Sequence, residues 1–165
     1  MAETLIRNVL SKDLHDCYLV ETACWPVREA AAIETIQLRI DTFPQGFFVA
    51  EFNGRVVGMV NGACTNKEDI SDEELKQLIG HDLEGRNMVI FALAVIPEFQ
   101  KQGIARQLIL RFIEEARQNK KEKIFLMCKD YLIGYYVDLG FIHAGLSRST
   151  HGGAEWHEMR LSLKN

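Results

Sequence analysis

Apolar residues run unbroken from Met88 to Ile96, the pattern of a strand buried on both faces. Pro97 stops that strand by removing a backbone donor. After a short polar turn the period changes. Ile104, Leu108, Ile109, Phe112, Ile113 and Ala116 fall at helical spacing and predict an amphipathic helix from Ile104. Upstream, Thr4–Val9 reads as a first strand, and Ser11 and Asp13 offer caps for a helix over Leu14–Ala23. Trp25-Pro26 interrupts, and a second helical stretch covers Glu29–Ile40. Phe47–Phe52 and Arg55–Cys64 read as strands joined at Asn53-Gly54, where both residues tolerate positive φ. Thr65–Asn87 is the most polar segment. Within it Ser71-Asp-Glu-Glu74 reads as a capping box that opens a short helix reaching Gly80. Lys123–Cys128 is a further strand, and Tyr131–Leu139 a helix closed by Gly140. Phe141–Leu146 and Glu155–Leu163 complete the chain as strands. This order predicts a single α/β (α+β) domain over residues 1–165, with a mixed central sheet of about six to seven strands and helices on both faces. The central strand–helix–strand unit is expected to be a right-handed crossover.

Composition changes this picture little. The chain has 165 residues, 47% hydrophobic and 25% charged, with a net charge of −4. Those values suit a soluble domain with its own core and argue against nucleic acid as the main partner. The opening Met1-Ala-Glu-Thr-Leu is not a secretory leader, and the longest apolar run is too short to span a bilayer, so no membrane partner and a cytoplasmic location are expected. Cys17, Cys24, Cys64 and Cys128 form no C-x-x-C pair and read as reduced thiols, mostly in the core. No histidine stands at zinc-ligand spacing from a cysteine, so no metal is expected.

The chemistry gathers where the long apolar strand meets the amphipathic helix. No Ser, Thr, Asp or Asn caps that helix, and Lys101 and Arg106 sit where the macrodipole is already positive. This start is unfavourable alone and becomes favourable if an anion docks on the free N–H groups, with Gly103 allowing close backbone approach.

At Gln100-Lys-Gln-Gly-Ile-Ala105 the chain resembles the acyl-coenzyme A motif of the GNAT family of N-acetyltransferases: Gln or Arg, two residues, Gly, one residue, Gly or Ala. Leu93-Ala-Val-Ile-Pro97 looks like that family's preceding strand, and Tyr136-Val-Asp-Leu-Gly-Phe141 matches its Tyr-x-x-x-Gly-Phe signature. Leu126-Met-Cys-Lys-Asp130 and Phe141-Ile-His-Ala-Gly145 are similar to segments of the arylalkylamine (serotonin) N-acetyltransferases.

The resemblance implies direct transfer of acetyl from acetyl-CoA to a primary amine of a small molecule, by a monomer or homodimer. It assigns Leu93, Ala94 and Val95 to the pantetheine arm, and Gln100, Lys101, Gln102, Gly103, Ile104, Ala105 and Arg106 to the pyrophosphate. Tyr136 matches the tyrosine that protonates the departing CoA thiolate and also contacts the cofactor; Tyr135 fits the motif one residue worse. Phe91, Met127, Trp25 and Pro26 fall at acceptor-lining positions, although Met127 and Trp25 read equally well as packing residues. The chain departs from the subgroup at the general base. Val89 and Phe91 stand where it carries two histidines, and neither accepts a proton. A water chain, Asp130, His143 or His157 are the alternatives, as is direct binding of neutral amine. The departure leaves room for a polyamine, aminoglycoside-like or peptide amine acceptor, and for an acyl-CoA-binding module with weak turnover.

Overall fold

A strand needs a partner for every inward backbone group, and here seven strands supply one another in a single mixed sheet of order β1-β2-β3-β4-β5-β7-β6. The computed structural model describes residues 3–163. The strands are β1 (Leu5–Asn8), β2 (Phe48–Phe52), β3 (Arg55–Thr65), β4 (Asn87–Val95), β5 (Lys123–Cys128), β6 (Ile142–Leu146) and β7 (His157–Ser162). The helices are α1 (Leu14–Cys24), α2 (Ile33–Thr42), α3 (Glu73–Lys76), α4 (Ile104–Gln118) and α5 (Ile133–Asp138). Two compact units make up the chain, one of Met1–Gly62 with Ala92–Glu115 and one of Ala63–Phe91 with Ala116–Asn165.

In the first unit, β2 and β3 form the expected hairpin. Asn53 and Gly54 adopt φ of 51° and 79°, the left-handed values that such a turn demands. A register shift between Ala50 and Glu51 bends the ladder. The periodic face of α4 is its buried face: Leu108, Ile109, Phe112 and Ala116 are fully enclosed, and Ile104 and Ile113 nearly so. Each such large side chain contributes about 1.5–3 kcal/mol on burial. The Arg111 guanidinium lies 4.5 Å from the centroid of the Phe48 ring, fixing α4 on β2.

Two helix starts in this unit differ from the sequence expectation. Asp13 does not cap α1. Its carboxylate accepts from Leu10 N at 2.7 Å and from both Arg7 terminal nitrogens, at 2.8 and 3.0 Å, while Arg7 also bonds Glu51. A half-buried guanidinium pair outcompetes a cap because it satisfies more charge at once. The second helix begins at Ile33 instead of Glu29, because Pro26 O accepts from Glu29 N and Ala30 N in a turn of its own.

In the second unit, β4 and β5 are parallel, Asn87–Ile90 pairing with Lys123–Leu126. The last strand, β7, inserts antiparallel between β5 and β6. Ala63, Ile70, Leu75, Leu78, Val89 and Phe125 form a buried cluster, with Phe91 and Met127 packed against it. The cap of α3 is Asp72 rather than Ser71: Asp72 Oδ1 accepts from Glu74 N at 2.9 Å, whereas Ser71 Oγ donates to Asp69 at 2.6 Å. The predicted helix over Tyr131–Leu139 divides into a 3-10 turn at Asp130–Leu132 and the short α5. Gly140, at φ 102°, ends it as expected.

Burial opposes charge on Asp13, but the Arg7 guanidinium and the Leu10 N–H outweigh it and hold the carboxyl below its ordinary range. Its contribution is therefore complete above the unfolded value of about 3.9 and fades as pH falls below it. Asp13→Asn is expected to lower stability by about 1–3 kcal/mol near neutral pH. Urea unfolding should show that deficit shrinking in acid; a deficit independent of pH would rule out the ionic origin.

Candidate functional site

The end of β4 lies beyond its ladder with β5. Its ladder with β5 is formed by Asn87–Ile90, and the strand continues to Val95. Ile96 N donates to Val57 O at 2.9 Å, so this stretch also runs beside β3. By strand alternation Ala94 directs its backbone to β3, and Leu93 and Val95 direct theirs to the other edge. The Val95 carbonyl is already engaged, accepting from Gln100 Nε2 at 2.8 Å and from Cys24 Sγ at 3.3 Å. Gln100 thereby folds the following turn back onto its own strand. Burial pushes the Cys24 thiol up to about 11, so it serves as a neutral donor and not as a nucleophile.

Gly58 makes this approach possible. A Cβ there would stand 3.1 Å from Ala94 O and Val95 Cγ2, and 3.2 Å from Leu108 Cδ1. β3, the end of β4 and Leu108 of α4 therefore meet over a position where a Cβ would force its neighbours to give by a few tenths of an ångström.

The turn itself has the geometry of an anion nest. Pro97–Phe99 is a 3-10 turn, after which Lys101 takes φ 63° and Gly103 φ 83°. Left-handed residues alternating with right-handed ones point successive N–H groups the same way. Gln102 and Gly103 are exposed, and a Cβ on Gly103 would meet nothing within 4 Å. Helix α4 follows with no acidic residue in its first turn. Lys101 and Arg106 are exposed, while Ile104 is buried and holds the turn down. This concentration of free donors and positive charge suits a phosphate.

Tyr136 belongs to the second unit and is buried on α5, edge-on to Phe141 at 5.7 Å and to Tyr135 at 5.3 Å. Tyr135 is exposed, so the two tyrosines separate as inner and outer residues of the helix. Burial, with a smaller effect of Cys128, pushes the Tyr136 hydroxyl above its ordinary value. A buried phenol that stays protonated is a donor throughout the working range of pH. Cys128 is likewise pushed up, to about 11, by burial.

Of the acceptor candidates, Phe91 and Met127 are brought together against one apolar cluster. Ser147 Oγ donates to Met127 Sδ at 3.2 Å, which lays the loop after β6 over this face. That loop is tied down by Trp156 Nε1 donating to His151 O at 2.9 Å, and by His151 Nδ1 within 3.1 Å of Glu73 Oε2 on α3. Sequence reasoning missed Ser147, His151 and Trp156; only the Ser/Gly-rich composition of the loop hinted that it had a conformation to keep. Trp25 and Pro26 stand in the turn after α1, where Trp25 is half-buried and Pro26 exposed. Among the described residues no group of three or more His, Cys, Asp or Glu could hold a metal ion, and no helix is long and apolar enough to cross a membrane.

Comparison with known proteins places this arrangement in context. The sequence profile described as the acetyltransferase (GNAT) family matches residues 10–141. Serotonin N-acetyltransferase of Mesocricetus auratus is 30% identical over 112 residues, covering 67% of this chain and 53% of that protein. A probable hydrolase of Bacillus subtilis, YhcX, is 26% identical over 137 residues, covering 79% of this chain and 25% of that protein. The chain thus spans only a quarter to about half of the length of these relatives. Among solved structures, the loading GNATL domain of CurA from Lyngbya majuscula superposes with a TM-score of 0.86 at 20% identity, covering 97% of this chain and 98% of that one.

The close packing at Gly58 yields a test of the strand end. Gly58→Val is expected to lower stability by about 1–3 kcal/mol through overpacking. Urea unfolding reads the deficit; unchanged stability would mean that Ala94, Val95 and Leu108 yield to the added side chain.

Proposed function

The chain belongs to the acetyltransferase (GNAT) family, and from that premise we propose that it moves an acetyl group from acetyl-CoA directly to a primary amine of a small, arylalkylamine-like molecule. We further propose that residues 1–165 act as one N-acetyltransferase domain, since the family match draws on residues of both compact units. The observation that carries the reading is the exposed nest at Lys101–Gly103 leading into a helix with no acidic first turn.

In this reading the N–H groups from Lys101 to Arg106 bind the pyrophosphate. The backbone of Leu93 and the N–H of Val95 pair with the pantetheine arm as an added strand would, while Ala94 supports them from the β3 side. Positioning and electrostatic stabilisation of the developing oxyanion supply most of the acceleration. When the tetrahedral intermediate collapses, the carbon–sulfur bond breaks and Tyr136 gives its proton to the thiolate. Phe91 and Met127 offer an apolar surface to the body of the amine, and Trp25 and Pro26 are proposed as further acceptor contacts from the resemblance alone. A second reading, an acyl-CoA-binding module with weak turnover, draws on the burial of Val89 at the place of a family base.

Acetyl-CoA at about 100 times its Kd is expected to raise Tm by about 5–10 °C under either reading. Release of thiol with a panel of amines should occur only for the enzyme. Tyr136→Phe should lower kcat about 100-fold and leave the acetyl-CoA thermal shift intact. Because burial raises the Tyr136 hydroxyl, wild-type kcat should show no alkaline fall below pH ~10 from this residue. Full activity in Tyr136→Phe would remove it from the mechanism.

A further inference from the structure

An ammonium must lose a proton before its nitrogen can attack a thioester, and the places where the family resemblance puts a base hold apolar residues. Val89 is part of the buried cluster and Phe91 packs against it. His143 and His157 hydrogen-bond each other, Nε2 to Nδ1 at 3.0 Å. His157 stands opposite Cys128, on the alternate face of β5 and β7 from Met127. Asp130 is exposed in the turn that leads to α5.

One carboxylate does share the face of Phe91 and Met127. Glu158 stands opposite Met127 in the antiparallel β5–β7 ladder, and directly opposed residues project to the same side. The next pair on that side, Phe125 and Arg160, confirms the face: the guanidinium carbon lies 5.9 Å from the ring centroid. Phe125 in turn belongs to the cluster against which Phe91 and Met127 pack. Glu158 is half-buried and has no hydrogen-bond or ion-pair partner among the described residues. The cations nearby are engaged elsewhere. Lys129 Nζ sits over the Trp156 ring at 5.1 Å, Arg160 over Phe125, and Lys123 Nζ bonds Glu68 at 2.7 Å. A half-buried carboxylate beside apolar side chains is costly to leave unpaired, and a cationic ligand removes that cost.

We propose that Glu158 receives the ammonium group of the acceptor and takes its proton, which narrows the acceptor to a primary ammonium carried on an apolar or aromatic body. This rests on the acetyltransferase reading above. The N–H bond breaks with its electron pair left on nitrogen, and the proton goes to a Glu158 carboxylate oxygen. The neutral amine then attacks the thioester carbon and forms the C–N bond. The C–S bond breaks with its pair on sulfur, which takes the Tyr136 hydroxyl proton. The remaining excess proton on nitrogen returns through water to the tyrosinate, and Glu158 loses its proton to solvent.

Glu158→Gln is isosteric and should fold. Its kcat/KM for the amine is expected to fall about 100-fold and to lose the acid limb of its pH profile, while the acetyl-CoA thermal shift stays at the wild-type value. Glu158→Asp should keep the acid limb and recover part of the rate, and His157→Gln should behave as wild type. Wild-type turnover in Glu158→Gln, or transfer of the acid-limb loss to His157→Gln, overturns the proposal. Absence of thiol release from the wild-type protein with every amine sinks the acetyltransferase reading instead, and this proposal with it.

Discussion

Every buried backbone donor and acceptor must find a partner, and β4 meets that rule with different partners along its length. Asn87–Ile90 are paired with β5. Beyond them Ile96 is held by β3, and the Val95 carbonyl takes two side-chain donors from Cys24 and Gln100. These local bonds hold the nine-residue, largely apolar strand where it runs past its ladder with β5. They also fix where the chain turns into α4. The left-handed residues Lys101 and Gly103 follow within a few positions and lead into α4. Strand end and helix start are one construction: the same Gln100 side chain that closes the Val95 carbonyl holds the nest in place.

Much of this was legible in the sequence because it depends on local rules. The stripe from Ile104 to Ala116 reads directly as the buried face of α4, since helical period and burial have one geometric cause. Asn53-Gly54 names its own turn, because few other residues tolerate its φ values. Failures occur where another group claims a side chain that the local pattern assigns to a cap. Asp13 has the chemistry of a cap, but Arg7 and Leu10 claim its carboxylate. Ser71 begins a capping-box pattern, yet Asp69 takes its hydroxyl and Asp72 performs the capping. The insertion of β7 between β5 and β6 is a choice of partner that periodicity does not encode.

The site divides along the same line. Lys101, Gly103 and Tyr136, proposed as phosphate cradle and acid, stand out by motif spacing, which is a property of the chain itself. Glu158 was passed over because its significance lies in register. One residue along β7, His157 faces Cys128, whereas Glu158 faces Met127. Histidine attracts attention as a base on chemical grounds, but the ladder turns it away from Phe91 and commits it to His143. A slip of one residue in the β5–β7 pairing would exchange the two faces.

That register also separates two groups that would interfere if adjacent. A Cβ on Gly140, just past α5, would lie 3.5 Å from Leu161 Cδ1, which places the end of the Tyr136 helix on the face opposite Glu158. A phenol and a carboxylate in contact form a strong hydrogen bond, which holds the proton between them and makes each worse at its task. In the proposed mechanism Tyr136 is the protonated donor toward the departing sulfur and Glu158 the unpaired acceptor toward the arriving nitrogen. Direct transfer requires proton loss at one end of the reacting centre and proton gain at the other. The pleat of β5 and β7 sets Glu158 and the end of the Tyr136 helix on different faces, so the phenol and the carboxylate do not engage each other.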